Sequence, residues 1–249
     1  QSMYFSGGAG QAKYEQWAAA DAEYDSELAV EFFKAAGFID VDNDGWRDLP
    51  DGSPFVLVID LNTWGGERVR HLADQIARES WQAVGIHTVL NNVQNQASGI
   101  DRADKGLFMI RGVQIAEMDI WMHPGWVFPV QSGSGGAWAF PLQGLWFASG
   151  GKEGLKPDSE SPGYRLLELY QRGVNQTDEV IRQQILFQAI DIHINEGPFL
   201  LGATGDQKMP VVVKNKFHNV PEFGILGPWT VASPGNQHPE QFWIELDTP

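Results

Sequence analysis

From Asp25 onward the chain alternates between two hydrophobic periods. Leu28, Ala29, Phe32, Phe33 and Ala36 recur at helical spacing and predict a helix near 26–37. Asp25, Ser26 and Glu27 supply acceptors for the free N–H groups at its start, and Gly37 stands where a C-cap belongs. After an acidic turn, Phe55 to Leu61 is an apolar run broken only by Asp60. Such a run predicts a strand covered on both faces, as in a parallel sheet.

Residues 67–84 read as an amphipathic helix, with Val69, Leu72, Ala73, Ile76 and Ala77 on one face and Gly85 ending it. Ile86 to Val93 reads as a second strand, 97–105 as a short polar helix, and Leu107 to Val113 as a third strand. Helix and strand alternating in this way predict an α/β fold, a doubly wound, mainly parallel sheet with helices on both faces. Residues 4–24, rich in Gly and Ala and without a clear period, are expected to be a lead-in strand or loop. Residues 118–162 break the rhythm with Gly, Pro, Ser and Trp, and a connector of that length is usually functional. Helices resume at about 162–173 and 178–196, the second starting at Thr177-Asp178-Glu179 and carrying Ile181, Ile185, Ala189 and Ile192. Strands are expected at 198–204 and 209–214, and an extended tail to Pro249. The opening Gln1-Ser2-Met3 reads as an expression-tag remnant, leaving 4–249 as a single unit.

Composition changes this picture at one point. The chain has ten tryptophans, where about one or two per hundred residues is usual, and Trp121, Trp126, Trp138 and Trp146 all fall in the irregular stretch. Indole faces suit the apolar faces of sugar rings and peptide side chains, so two or more of the four are expected to face a ligand while the rest are core. The net charge of −15 disfavours nucleic acid as a partner. With no cysteine there is no disulfide, thiol nucleophile or thiolate metal site. No apolar run reaches the length of a membrane span.

Catalytic signatures are missing from the sequence. The six histidines lack metal-site spacing, no nucleophile elbow occurs, and Gly133-Ser134-Gly135-Gly136 lacks the Lys-Ser/Thr of a phosphate loop. Glu117 and Asp119 could serve as paired carboxylates, yet neighbours two apart seldom flank one scissile bond. Asp40, Asp42, Asp44 and Gly45, with Asp51 at the twelfth position, match the start of a calcium loop. Pro50 and the strand from Phe55 replace its exit helix, so a solvated turn is the preferred reading and no metal is assigned.

Several motifs, taken in order, resemble the extracytoplasmic solute-binding proteins for peptides and oligosaccharides (bacterial family 5). They are Tyr24-Asp25, Ala35-Ala36-Gly37-Phe38, Asp40-x-Asp42-x-Asp44-Gly45-Trp46-Arg47, Pro50-Asp51-Gly52 and Trp81-Gln82-x-x-Gly85-Ile86. Further on come Trp146-Phe147-x-Ser149-Gly150-Gly151-Lys152-Glu153-Gly154, Asn219-Val220-Pro221 and His238-Pro239-Glu240-Gln241-Phe242-Trp243, which resemble a Trp-rich branch that includes oligosaccharide binders. The resemblance implies the C-terminal lobe of a two-lobe, type II periplasmic-binding-protein-like fold that closes on its ligand at a hinge. The partners it implies are an oligosaccharide or oligopeptide, the chain's own N-terminal lobe and ABC transporter permease subunits. The location it implies is periplasmic or extracellular and membrane-associated, with no cofactor. In peptide-binding relatives an Asp a few residues before a Pro holds the ligand's amino terminus. Here Asp119 precedes Pro124 with the spacing one residue off, and His123 replaces the usual acidic residue, which leans the reading toward sugars. The expected ligand residues are therefore Asp119, Trp121, His123, Trp126, Trp138 and Trp146, with no catalytic residue. Two other readings compete: a carbohydrate hydrolase using Glu117 and Asp119, and an interaction domain docking a partner on an exposed Trp patch.

Overall fold

The computed structural model describes residues 5, 8–61, 67–111, 120–121, 123–133, 136–137, 139–200, 211–224 and 235–246. Its elements run α1 Gly8–Ala19, α2 Ser26–Ala35, β1 Val56–Leu61, α3 Glu67–Ala83, β2 His87–Asn92, α4 Gln96–Asp104, β3 Ile110–Arg111, α5 Pro141–Ala148, α6 Pro162–Val174, α7 Glu179–Glu196, β4 Phe217–His218 and β5 Trp243–Ile244. The first three strands form a parallel sheet in the order β2-β1-β3, which is the α/β fold expected from the alternating periods. Ile59 and Asp60 are consecutive on β1, point to opposite faces and are both buried, so the sheet is covered on both sides there.

α2 starts where its sequence predicts. Asp25 accepts from the backbone N–H of Glu27 at 3.0 Å and of Leu28 at 2.8 Å. Asp25→Ala should cost about 1 kcal/mol, read as a lower urea midpoint with an unchanged slope; no change would mean the helix is held by packing alone. The acidic turn is closed by its own backbone: Asp40 accepts from Gly45 N, Asp42 from Asp44 N, Asp44 from Trp46 N and Asp48 from Val41 N. Carboxylate oxygens of Asp40, Asp42 and Asp48 lie within 4.8 Å of one another. Asp51 instead accepts from Ser53, so it does not complete a twelve-residue calcium loop. Arg47 ties the turn to the α3–β2 junction, donating to the carbonyls of Val84 at 2.8 Å and Phe38 at 3.0 Å.

A second core lies beyond the sheet. α6 and α7 pack together, and the turns at 120–130 and the aromatic residues of α1 close over them. Leu166, Leu186, Ala189 and Ile190 are fully buried, with Phe128 wedged among them. Both helices are capped from the preceding residue, Ser161 accepting from Tyr164 N and Asp178 from Val180 N and Ile181 N. α4 and α5 join the two regions.

Several expectations need correction. Residues 8–19 are helical rather than a strand or loop. Their Ala, Gln, Lys and Glu favour helix intrinsically, and only Tyr14 and Trp17 are packed on the core, so no apolar period is required. The irregular stretch contains α5, whose Pro141 occupies the first turn, where its missing N–H costs nothing. The third strand is confined to Ile110–Arg111; 107–109 are irregular, and 112–113 lie outside the described residues. Of the strands expected at 198–204 and 209–214, the described parts, 198–200 and 211–214, are not strand, and 201–210 lie outside the described residues. The tail instead pairs β4 with β5 antiparallel. α3 is where it was expected, but Leu72 and Ile76 of its apolar stripe face solvent at 57% and 55% exposure, whereas Asp74 is buried. The residues at i+3/i+4 spacing from Asp74, including Ala77 and Trp81, form the covered face.

Candidate functional site

Ligands of open α/β sheets bind at the carboxyl ends of the parallel strands. Here those ends carry polar groups from three strands. Asp60 ends β1 beside Asn91 of β2 and Arg111 of β3 in the sheet register, so the three side chains share one face. Asp60 is 3% exposed. It accepts from Asn91 Nδ2 at 2.6 Å and, in a fork, from Arg102 Nε at 2.7 Å and Nη2 at 3.1 Å. α4 is capped by Asn95 and brings Arg102 over the strand ends.

Arg111 is held differently. Its Nη1 is buried and has no hydrogen-bond partner among the described residues. Burial pulls its pKa down from the ordinary arginine value, opposed by the charges of Asp60 and Asp104. Asp60, Arg111, Val93, Gly99, Ala103 and Phe108 surround a cavity of about 10 Å³. That is room for about one water molecule, so the cluster is a polar floor and not itself a ligand pocket.

Residues 112–119, with Glu117 and Asp119, lie outside the described residues, as does Trp138. Pro124–Trp126 form a 3₁₀ turn, and His123 packs near Trp126 with ring centroids 6.4 Å apart. Both side chains are half-buried. Trp121 stacks on Phe128 at 5.3 Å and lies parallel to Tyr170 at 6.4 Å, with the far edge of its indole against Gly173. Trp146 packs against the same core beside Phe147. Of the expected ligand residues, His123 and Trp126 thus sit together in the loop, and Trp121 and Trp146 sit against the second core. The sequence reading missed Asn91, Arg102 and Arg111. Two signals were available: Asp60 and Arg111 are each the single charge inside an apolar run expected to be a strand.

The parallel strands and the polar cluster near their carboxyl ends define an α/β lobe. No protein-family model matches the sequence, and no curated protein does either. Solved structures do match. The chain is similar to the oligopeptide-binding protein OppA, with 25% identity and a TM-score of 0.72 over 93% of this chain and 37% of that one. It is also similar to a mannohexaose-bound periplasmic oligopeptide-binding protein of an ABC transporter from Thermotoga maritima, with 18% identity and a TM-score of 0.52 over 77% and 32% of the two chains. MelB, a periplasmic binding protein from Agrobacterium fabrum in complex with stachyose, aligns with 14% identity and a TM-score of 0.54 over 69% and 24%. The chain thus has the lobe fold of the solute-binding proteins and resembles their peptide and oligosaccharide branch, as its motifs implied. It spans 37%, 32% and 24% of the lengths of these three structures. The neighbours are binding proteins rather than enzymes. Among the described residues no helix is long and apolar enough to cross a membrane.

Proposed function

We propose that this chain is the C-terminal lobe of a substrate-binding component of an ABC importer, capturing an oligosaccharide or short peptide in the periplasm or outside the cell. The observation that carries the reading is the Asp60–Asn91–Arg102–Arg111 cluster at the strand ends of a solute-binding lobe fold. Asp60 and Asn91 hold the floor rigid, with Arg102 and Arg111 balancing the charge of Asp60 beneath the ligand side. The loop carrying His123 and Trp126 forms the wall, with Asp119 and Trp138 as its further candidates. Binding of this kind needs closure of two lobes on the ligand and no chemistry. Permease subunits and an N-terminal lobe are the protein partners, and no catalysis is assigned.

The test is calorimetric titration of the full-length receptor with gluco- and manno-oligosaccharides and with tri- and tetrapeptides. Arg111→Ala and Trp126→Ala should each weaken binding by about tenfold or more, or about 1.4 kcal/mol, with the melting temperature moving by less than about 3 °C. Wild-type affinity in both variants would remove the floor and wall from the site. Glycoside turnover abolished by Glu117→Gln or Asp119→Asn would replace the receptor reading with the hydrolase one.

A further inference from the structure

The loop carrying His123 and Trp126 is tied to α7 by a buried titratable group that ligand binding does not use. His193, in the last turn of α7, is 3% exposed. Its Nε2–H donates to the Val127 carbonyl at 2.8 Å. A carbonyl can only accept, so the proton sits on Nε2 and Nδ1 is a bare acceptor in the neutral ring. That Nδ1 is buried and has no hydrogen-bond partner among the described residues. The ring lies between Trp17 of α1, with centroids 5.6 Å apart, and Phe199, at 5.4 Å.

A proton added at Nδ1 would create a buried charge and an N–H without an acceptor. The charged groups on the packed elements are already engaged. Lys13 of α1 is bonded to Asp191 of α7, and Arg165 of α6 to Glu196 of α7. Tyr14 of α1 packs on Phe5, and the loop's own titratable group, His123, packs near Trp126. Burial is the main influence on His193 and lowers its pKa; the hydrogen bond to Val127 opposes it.

We propose that His193 is an acid-labile tie: taking up a proton turns its ring out of the joint and frees the 123–130 loop from α7, opening this part of the lobe in mild acid. One proton moves from solvent to Nδ1, and water replaces the ring at the Val127 carbonyl. The local release stands whether or not the loop binds a ligand. Only its consequence, loss of ligand affinity in acid, rests on the binding reading above.

Hydrogen exchange on the 249-residue chain tests the tie without any ligand. The amides of Val127, Phe128 and Val130 are hydrogen-bonded within the loop and report its opening. After correction for intrinsic rates, their protection should fall about tenfold per pH unit once the ring begins to titrate, the slope for one linked proton. Amides in the middle of α6 should stay protected. His193→Gln keeps a side-chain N–H donor that does not titrate, so its loop should remain protected down to about pH 4.5. Because that variant could fail to fold, ¹⁵N spectra of the wild-type imidazole provide an independent check: titration of Nδ1 should coincide with the loss of protection. The proposal is overturned if protection persists to about pH 4.5, if His193→Gln opens at the same pH as wild type, or if Nδ1 titrates with the loop still closed.

Discussion

Asp60→Ala should destabilise the chain by about 3–5 kcal/mol, because it takes a shared counter-charge from partly buried cations. Asp60 is 3% exposed and is the shared acceptor of Arg102 and Asn91. Arg111, its register neighbour, is also held charged by it. Truncation therefore removes the anion that Arg102 is bonded to and leaves Arg111 with Asp104 as its remaining counter-charge. Arg102→Met should cost less, since Asn91 still donates to Asp60 and Arg111 still balances its charge. Asp60→Asn separates charge from shape: it keeps a carbonyl acceptor for Arg102 but loses the anion, and should fall between the two. Urea unfolding measures all three, with the slope checked for constancy. If Asp60→Ala moved stability by less than about 1 kcal/mol, the cluster would be solvated like a surface ion pair, and its role as a rigid floor would go with it.

The same cluster shows what the sequence could and could not convey. β1 was legible because it is an apolar run opening after Pro54, β2 because a short segment with Val89 and Leu90 opens after Gly85, and α2, α6 and α7 because caps and spacing agree locally. The site left a mark in the sequence at two of its four residues. Asp60 interrupts a strand that should be apolar throughout, which marks it as unusual. Arg111 does the same in the apolar run 107–113, whereas Asn91 and Arg102 sit in polar surroundings, and all three meet Asp60 only through strand register and the placement of α4. Register is a tertiary fact that no local period encodes.

α1 and α5 escaped for a different reason. A helix pinned by two aromatic side chains needs no apolar stripe, and one beginning at Pro141 in a Gly- and Trp-rich stretch resembles a loop until its neighbours are known. The apolar stripe of α3 does not mark its covered side. Its sheet-facing side is instead the one with Asp74, and Leu72 and Ile76 are left outside.

Replacing tryptophans in the 120–146 region should split them into two groups. Trp121 is stacked on Phe128, which is 1% exposed, and lies parallel to Tyr170, with its ring edge against Gly173 of α6. Trp121→Ala opens a cavity between the 120–130 turns and the α6–α7 pair and should cost about 3–5 kcal/mol, the range for deleting a packed indole. The loss should partly overlap with that of Phe128→Ala, since each ring covers the other. A double mutant should therefore be less destabilised than the sum of the singles, by about 0.5–1.5 kcal/mol for the aromatic pair. Trp126 lies in the 3₁₀ turn beside His123, so Trp126→Ala should spare most of the stability and act on ligand affinity. The measurement is a pair of readouts on each variant, urea midpoint and ligand affinity. If Trp121→Ala left the midpoint unchanged while abolishing binding, its indole would be a ligand platform rather than a wedge between turn and helix. That result would move the binding face to the α6 side of the turn.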